Sequence, residues 1–254
     1  MVHNPYIYAE MRQLRTSSYG LQVLLLLAAG LSFSRAGAQS TTTDQQLWLG
    51  LNASGSFKKG WSFTTQARIR YTENISTYKG AYFYFTGEKK FNKNNSAEAN
   101  YRLAVINEDG IARNYHRYAL AYERVFRTTA LKMYLRPMVQ YQQQATLADV
   151  EVSYKSKAYF RPRFTVKRSL SEKWDLYVYG EPFFRLKSGL NIDWWQNSLG
   201  LKYQVKKDLK LNPYIIWQPD FSRKSFRTNF IYGIDVEFKL GKLISKDDNP
   251  SSVN

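Results

Sequence analysis

Between Trp61 and Tyr71 the chain reads WSFTTQARIRY, with Trp61, Phe63, Ala67, Ile69 and Tyr71 on one parity and Ser62, Thr64, Gln66, Arg68 and Arg70 on the other. Successive side chains of a β-strand point to opposite faces, so this segment has one greasy face and one polar, arginine-bearing face. The pattern is not local. It returns in eleven segments, about Gln46 to Phe57, Trp61 to Tyr71, Ala81 to Phe91, Ser96 to Asn107, Tyr115 to Phe126, Ala130 to Gln142, Ser153 to Leu170, Trp174 to Lys187, Trp194 to Val205, Leu209 to Pro219 and Ser225 to Leu240. Polar turn residues separate the segments, so nearly the whole chain is a succession of predicted strands. Any fold for it must bury one apolar face per strand or immerse that face in lipid.

A soluble β-sandwich and a membrane barrel both satisfy that demand. Turn spacing favours the barrel. Phe57, Phe91, Phe126, Leu170, Val205 and Leu240 each precede a short basic or polar turn, at successive intervals of 34, 35, 44, 35 and 35 residues. Each interval holds two strands and a longer loop, the asymmetry of transmembrane barrels. Aromatic residues on the apolar face agree: Phe57, Trp61, Phe91, Phe126 and Trp174 flank the short turns, and Tyr71, Tyr141 and Phe226 lie toward the loops, as two interfacial girdles require. Lys89, Arg124 and Arg168, the charges on that face, sit beside short turns, where a long side chain reaches headgroups. Leu135 and Val178 read as midway along it.

The amino terminus supplies a route to a membrane. MRQLRTSSYGLQVLLLLAAGLSFSRAGAQS, starting at Met11, has basic Arg12 and Arg15, an apolar core around Leu21 to Leu31, and small residues up to Ala38. This is the form of a secretory signal peptide. No later segment approaches the roughly 20 apolar residues of a membrane helix. Removing residues 1–38 takes away three arginines and one glutamate, bringing the net charge from +17 to +15. Such basicity in an exported chain points to anionic surfaces or solutes and away from nucleic acid. With no cysteine, disulfides and thiolate metal sites are excluded.

The expected protein is therefore all-β, a transmembrane up-and-down antiparallel β-barrel of 10 to 12 strands in a bacterial outer membrane, exported through the Sec pathway. Its predicted parts are a signal at 1–38, a polar segment at 39–45, the barrel at 46–240 and a polar tail at 241–254. Eleven candidate strands conflict with the even number usual in bacterial barrels. The expectation is either that Gln46 to Phe57 lies outside a ten-stranded barrel or that a twelfth strand is present.

Several segments resemble a Bacteroidetes outer-membrane family catalogued as a domain of unknown function (family 2490). They are Trp48, ARIRY at Ala67 to Tyr71, NYHRYAL at Asn114 to Leu120, FRPRF at Phe160 to Phe164, YVYGEPFF at Tyr177 to Phe184 and LGLKYQV at Leu199 to Val205. The resemblance implies a barrel and brings no catalytic residues. YGIDVEF, with Gly233, Val236 and Phe238, also resembles the signal that barrel-assembly machinery reads, although Ile231 and the tail after Leu240 depart from it.

Catalytic chemistry is sparse. After the signal is removed His116 is the one imidazole, with Glu108, Asp109 and Asn114 nearby in sequence. A barrel-embedded lipid hydrolase or acyltransferase would need it beside a hydroxyl nucleophile, and a rim histidine among Arg113, Tyr115 and Arg117 is the simpler reading. No calcium-loop or phosphate-loop spacing occurs, Asp247 and Asp248 read as a solvated pair, and no cofactor is expected. The inward parity is richer. Arg68, Arg70, Arg102, Arg117, Lys132, Arg136, Arg161, Arg163, Lys167, Arg185, Lys187, Lys202, Lys210 and Arg227 share it with Glu88, Glu98, Glu123, Asp175, Glu181, Asp235 and Glu237. An open lumen with this lining prefers anions, because a low-dielectric channel focuses its field. The same residues also suit an interior filled by paired charges. Basic loops YKSK (Tyr154 to Lys157) and SRKS (Ser222 to Ser225) suit lipopolysaccharide phosphates.

Overall fold

Strand-forming alternation carries through to strands along the chain. The computed structural model describes residues 42–108, 110–146, 156–187, 191–222 and 226–242. The predicted signal, the first half of YKSK, all of SRKS after Ser222, Asp109, and the tail after Lys242 with Asp247 and Asp248 lie outside them. The strands are β1 (Thr42–Ser56), β2 (Trp61–Thr72), β3 (Thr77–Lys90), β4 (Asn95–Glu108), β5 (Ile111–Arg127), β6 (Lys132–Arg136), β7 (Met138–Thr146), β8 (Ser156–Phe160), β9 (Arg163–Ser169), β10 (Trp174–Arg185), β11 (Asn191–Lys206), β12 (Leu209–Asp220) and β13 (Arg227–Lys242). The barrel thus starts at Thr42, inside the segment assigned as polar leader, and ends at Lys242, inside the assigned tail.

Proline accounts for the two split strands. β6 and β7 are one stave interrupted at Pro137, whose carbonyl still accepts the Tyr122 amide at 3.1 Å. β8 and β9 are another, interrupted at Arg161-Pro162. The registers Phe184↔Phe160 and Gly180↔Phe164 set Pro162 opposite Pro182, a rung with no donor on either side. Proline removes these bonds without orphaning an N–H.

The thirteen segments form one sheet, with two split staves, and so make a closed barrel of eleven strands. Eleven lies within the 10 to 12 strands expected, but neither way of making the number even holds: β1 is in the wall, and there is no twelfth strand among the described residues. An odd number of alternating strands leaves the first and last running the same way. β13 accordingly pairs β1 in parallel, from Thr42↔Arg227 to Ser54↔Lys239, while the other pairings are antiparallel. Following partners once around from Ser56 returns to Thr42, fourteen residues earlier in the same strand. That stagger is the shear that closure requires, and it tilts the strands.

The loop end differs from expectation. β2–β3 and β4–β5 are joined tightly, through 73–76 and 109–110, because β3 begins at Thr77 and β5 at Ile111, taking up residues assigned to loops. At the β2–β3 turn Glu73, Asn74 and Ile75 all have positive φ, of 55°, 55° and 70°. For a β-branched residue such as Ile75 this is costly. The turn is held by Asp44, which accepts the Asn74 amide at 3.0 Å, Thr72 Oγ1 at 2.7 Å and Arg227 Nη2 at 2.7 Å, and so also clips β13 to β1 and β2 at the seam.

The wall is inverted relative to a soluble sandwich, which it replaces: one sheet closed on itself, apolar outside and polar within. Leu51, Phe85, Leu120, Val139, Leu199 and Ile215 are outward and exposed, Leu120 at 69%. Trp61, Trp174, Phe57, Phe91 and Phe126 stand exposed at the turn end. There Lys89 Nζ donates to the Lys59 carbonyl at 2.6 Å beside the Trp61 ring, and Arg124 lies over Phe126.

Three inward glycines shape the interior. Tyr177 of β10 lies across Gly200 of β11 and donates to Asn212 Oδ1 of β12 at 3.0 Å. Tyr214 of β12 crosses Gly233 of β13 to reach Trp48 of β1. Asp235 of β13 crosses Gly50 of β1 to meet Arg68 of β2. A Cβ at any of the three would overlap the side chain lying over it. Gly200→Ala is expected to cost about 1–3 kcal/mol by overpacking. Gly87→Ala, with nothing within 4 Å of the new methyl, should cost almost nothing. Urea unfolding of the detergent-folded protein, followed by tryptophan fluorescence, checks the contrast; equal costs would overturn it.

Candidate functional site

Inward parity gathers arginine from five of six successive staves around one cavity of about 540 Å³. Arg68 and Arg70 come from β2, Arg102 from β4, Arg117 from β5, Arg136 from β6, Arg161 from the break after β8 and Arg163 from β9. Trp48, Tyr82, Tyr84, Tyr179 and Tyr214 supply aromatic wall, and Gln46, Gln66, Gln140, Gln142, Gln196 and Gln218 supply amides.

Four of the seven arginines share three carboxylates. Arg68 Nη2 donates to both oxygens of Asp235, at 3.1 and 2.8 Å. Glu181, fully buried, takes Arg163 at 2.7 Å and Arg161 at 3.0 Å. Arg136 lies 3.3 Å from Glu98. Bidentate and shared geometries of this kind are what make buried charge tolerable.

Arg70, Arg102 and Arg117 have no carboxylate partner among the described residues. Arg70 is clamped between Trp48 and Tyr82, 3.6 and 3.8 Å from the ring centres, and donates to Tyr84 Oη at 2.8 Å. Arg102, 9% exposed, donates to Gln142 Oε1 at 2.9 Å. Arg117 stands 5.4 Å from the Tyr84 ring centre. Register puts Arg102 directly opposite Arg117 on one face, with Tyr84 on the other side of Arg102. Like charges opposite each other repel, and no carboxylate among the described residues pairs with either. Nε of Arg70 and Arg102 is buried without a hydrogen-bond partner among the described residues, as is that of Arg68, Arg136 and Arg161.

The other predicted lumen residues divide by height. Toward the turns Lys202 pairs with Glu237 at 2.7 Å, Lys167 with Asp175 at 2.8 Å, and Glu123 shares the face of Glu98. Lys132 is exposed at the start of β6, beyond the cavity. At the loop rim Arg185 pairs with Asp193 and Arg227 with Asp44. Sequence reasoning passed over both of these aspartates. Asp44 lay ahead of the assigned first strand, where extending the parity of β1 by two residues would have found it. Asp193 sits where the β10–β11 register shifts, so parity does not place it. Trp48 is the larger omission, an inward tryptophan 6% exposed.

His116 points outward. Its Nδ1 lies 2.8 Å from Tyr101 Oη, in an aromatic row with Tyr101, Tyr118 and Phe85. Tyr101 is its one hydrogen-bond partner among the described residues, so the surroundings are those of an outer-wall girdle and not of a nucleophile–base pair.

A family model described as a protein of unknown function, DUF2490, matches residues 45–229, nearly the whole wall from β1 into β13. The chain belongs to the DUF2490 family. No curated protein matches it. The DUF2490 match spans all seven arginines of the cavity and most of the barrel that builds it, and ends three residues into β13, before Asp235.

Proposed function

We propose that the protein is an integral outer-membrane β-barrel that passes or admits small anions. What carries the reading is the inversion of the wall: exposed leucine, phenylalanine and isoleucine outside, and seven arginines lining the cavity inside. A soluble protein gains nothing from so large an apolar exterior. A bilayer rewards it, and there a sheet must close on itself to pair every backbone group. Within such a wall the excess of guanidinium over carboxylate sets a positive potential, which attracts anions and repels cations. Lipid and lipopolysaccharide are its neighbours in this reading, and barrel-assembly machinery inserts it.

The test is the current through the purified, detergent-folded protein in a planar bilayer under a salt gradient. Steady openings with an anion-preferring reversal potential are expected. Cation preference, or release of the native protein from membranes by carbonate without detergent, overturns the proposal. A barrel that inserts and stays silent removes conduction and leaves a closed anion-admitting cavity.

A further inference from the structure

We infer that Arg70, Arg102 and Arg117 form a discrete binding site for a doubly charged oxyanion, a phosphate group borne by a small polar solute. The inference deepens the anion reading and does not depend on conduction.

Three guanidiniums from β2, β4 and β5 converge beside Tyr84 with no carboxylate among the described residues, while four neighbours in the same cavity are matched to Asp235, Glu98 and Glu181. The wall therefore compensates one part of its arginine cluster and leaves the other part uncompensated. Buried charge is stable only when paired, so the unmatched part calls for a counter-charge from solution. Arg102 meets Arg117 head-on across the β4–β5 ladder, so an anion between them removes a repulsion as well as adding an attraction.

Geometry makes the site selective. Arg70 is fixed by Trp48 on one face and Tyr82 on the other, and Arg102 by its bond to Gln142, so little side-chain freedom is lost on binding. Guanidinium forks match phosphate oxygens better than a spherical chloride. Tyr84 accepts from Arg70 through its oxygen, a further bond that holds this guanidinium in place. The cavity of about 540 Å³ is of the size that holds small organic molecules. Phosphate alone leaves most of it unfilled, and glutamine amides with tyrosine rings are the surface that binds hydroxyls and sugar faces. A sugar phosphate meets both halves.

Calorimetric titration of the detergent-folded barrel tests this with inorganic phosphate, glucose 6-phosphate, glucose and chloride. Saturable binding of phosphate is expected, tighter binding of glucose 6-phosphate, and no saturable binding of glucose or chloride. Arg102→Gln and Arg117→Lys should each weaken phosphate binding by about tenfold or more, the loss of a charge-assisted bond. Arg124→Gln, on the outer wall, should leave it unchanged. If a variant does not fold, the rise of the wild-type unfolding midpoint with phosphate but not with equal ionic strength of chloride gives the same answer. Phosphate binding no stronger than chloride, or unaltered by both arginine variants, overturns the site. A silent barrel that binds phosphate removes conduction and spares the site. One that conducts anions without binding phosphate does the reverse.

Discussion

Replacing Glu181 by glutamine is expected to destabilise the barrel by about 3–5 kcal/mol, the cost of leaving buried charges without their partner. Glu181 is fully buried and serves two guanidiniums at once, Arg163 at 2.7 Å and Arg161 at 3.0 Å. Arg136 is a third positive group on the same side of the cavity, tied to Glu98. With the carboxylate neutralised, Arg161 and Arg163 face each other and Arg136 without compensation. Arg102→Gln should do the opposite to stability: it removes a charge that already lacks a partner and relieves Arg117, so its unfolding free energy should match or exceed that of the wild type. Urea unfolding in detergent micelles measures both. If Glu181→Gln costs less than about 1 kcal/mol, water in the cavity screens these charges, and the charge argument for the phosphate site weakens with it.

A positive charge at Leu120 is expected to cost about 2–4 kcal/mol in lipid, the penalty for arginine at the bilayer midplane. Leu120 lies near the middle of β5 and is 69% exposed. Leu135, which the sequence places midway along the wall, instead sits opposite Arg124, toward the turn end, so Leu120 is the sharper probe. In water, a substitution at so exposed a position normally shifts stability by less than about 0.5 kcal/mol. Unfolding free energies of Leu120→Arg in lipid vesicles therefore distinguish a wall in hydrocarbon from one in water. A cost below 1 kcal/mol in vesicles would falsify the membrane placement of this face.

The strands were legible because period two survives any change in strand order. Arg68, Arg70, Arg102, Arg117, Arg136, Arg161 and Arg163 take the inward face whichever strands become neighbours. Pairing was not legible, since it depends on stagger. The Arg68–Asp235 pair joins β2 to β13 across the parallel seam, 167 residues apart, and it forms only in an eleven-stave barrel of this shear. Gly50, Gly200 and Gly233 read as ordinary strand glycines until register sets a tyrosine or aspartate over each. Trp48 broke the rule that bulky apolar residues point outward. Its ring lies inside, against Arg70, where it positions the cation without neutralising it. The prolines misled least: FRPRF and GEPFF interrupt the hydrogen-bond ladder without ending their staves.

In most domains the two chain ends lie near one another, which is why such domains survive being cut at a loop and rejoined at their natural ends. The parallel seam forbids that here. β1 opens at the loop mouth and β13 closes at the turn mouth, so a peptide joining them would have to run the full height of the wall. No short linker gives a circularly permuted isomer of this barrel. For the same reason, whatever is fused ahead of Thr42 and whatever is fused after Lys242 are presented at opposite mouths. The two ends of the described wall thus open at opposite mouths, an asymmetry that an even-stranded barrel with both ends at one mouth does not have.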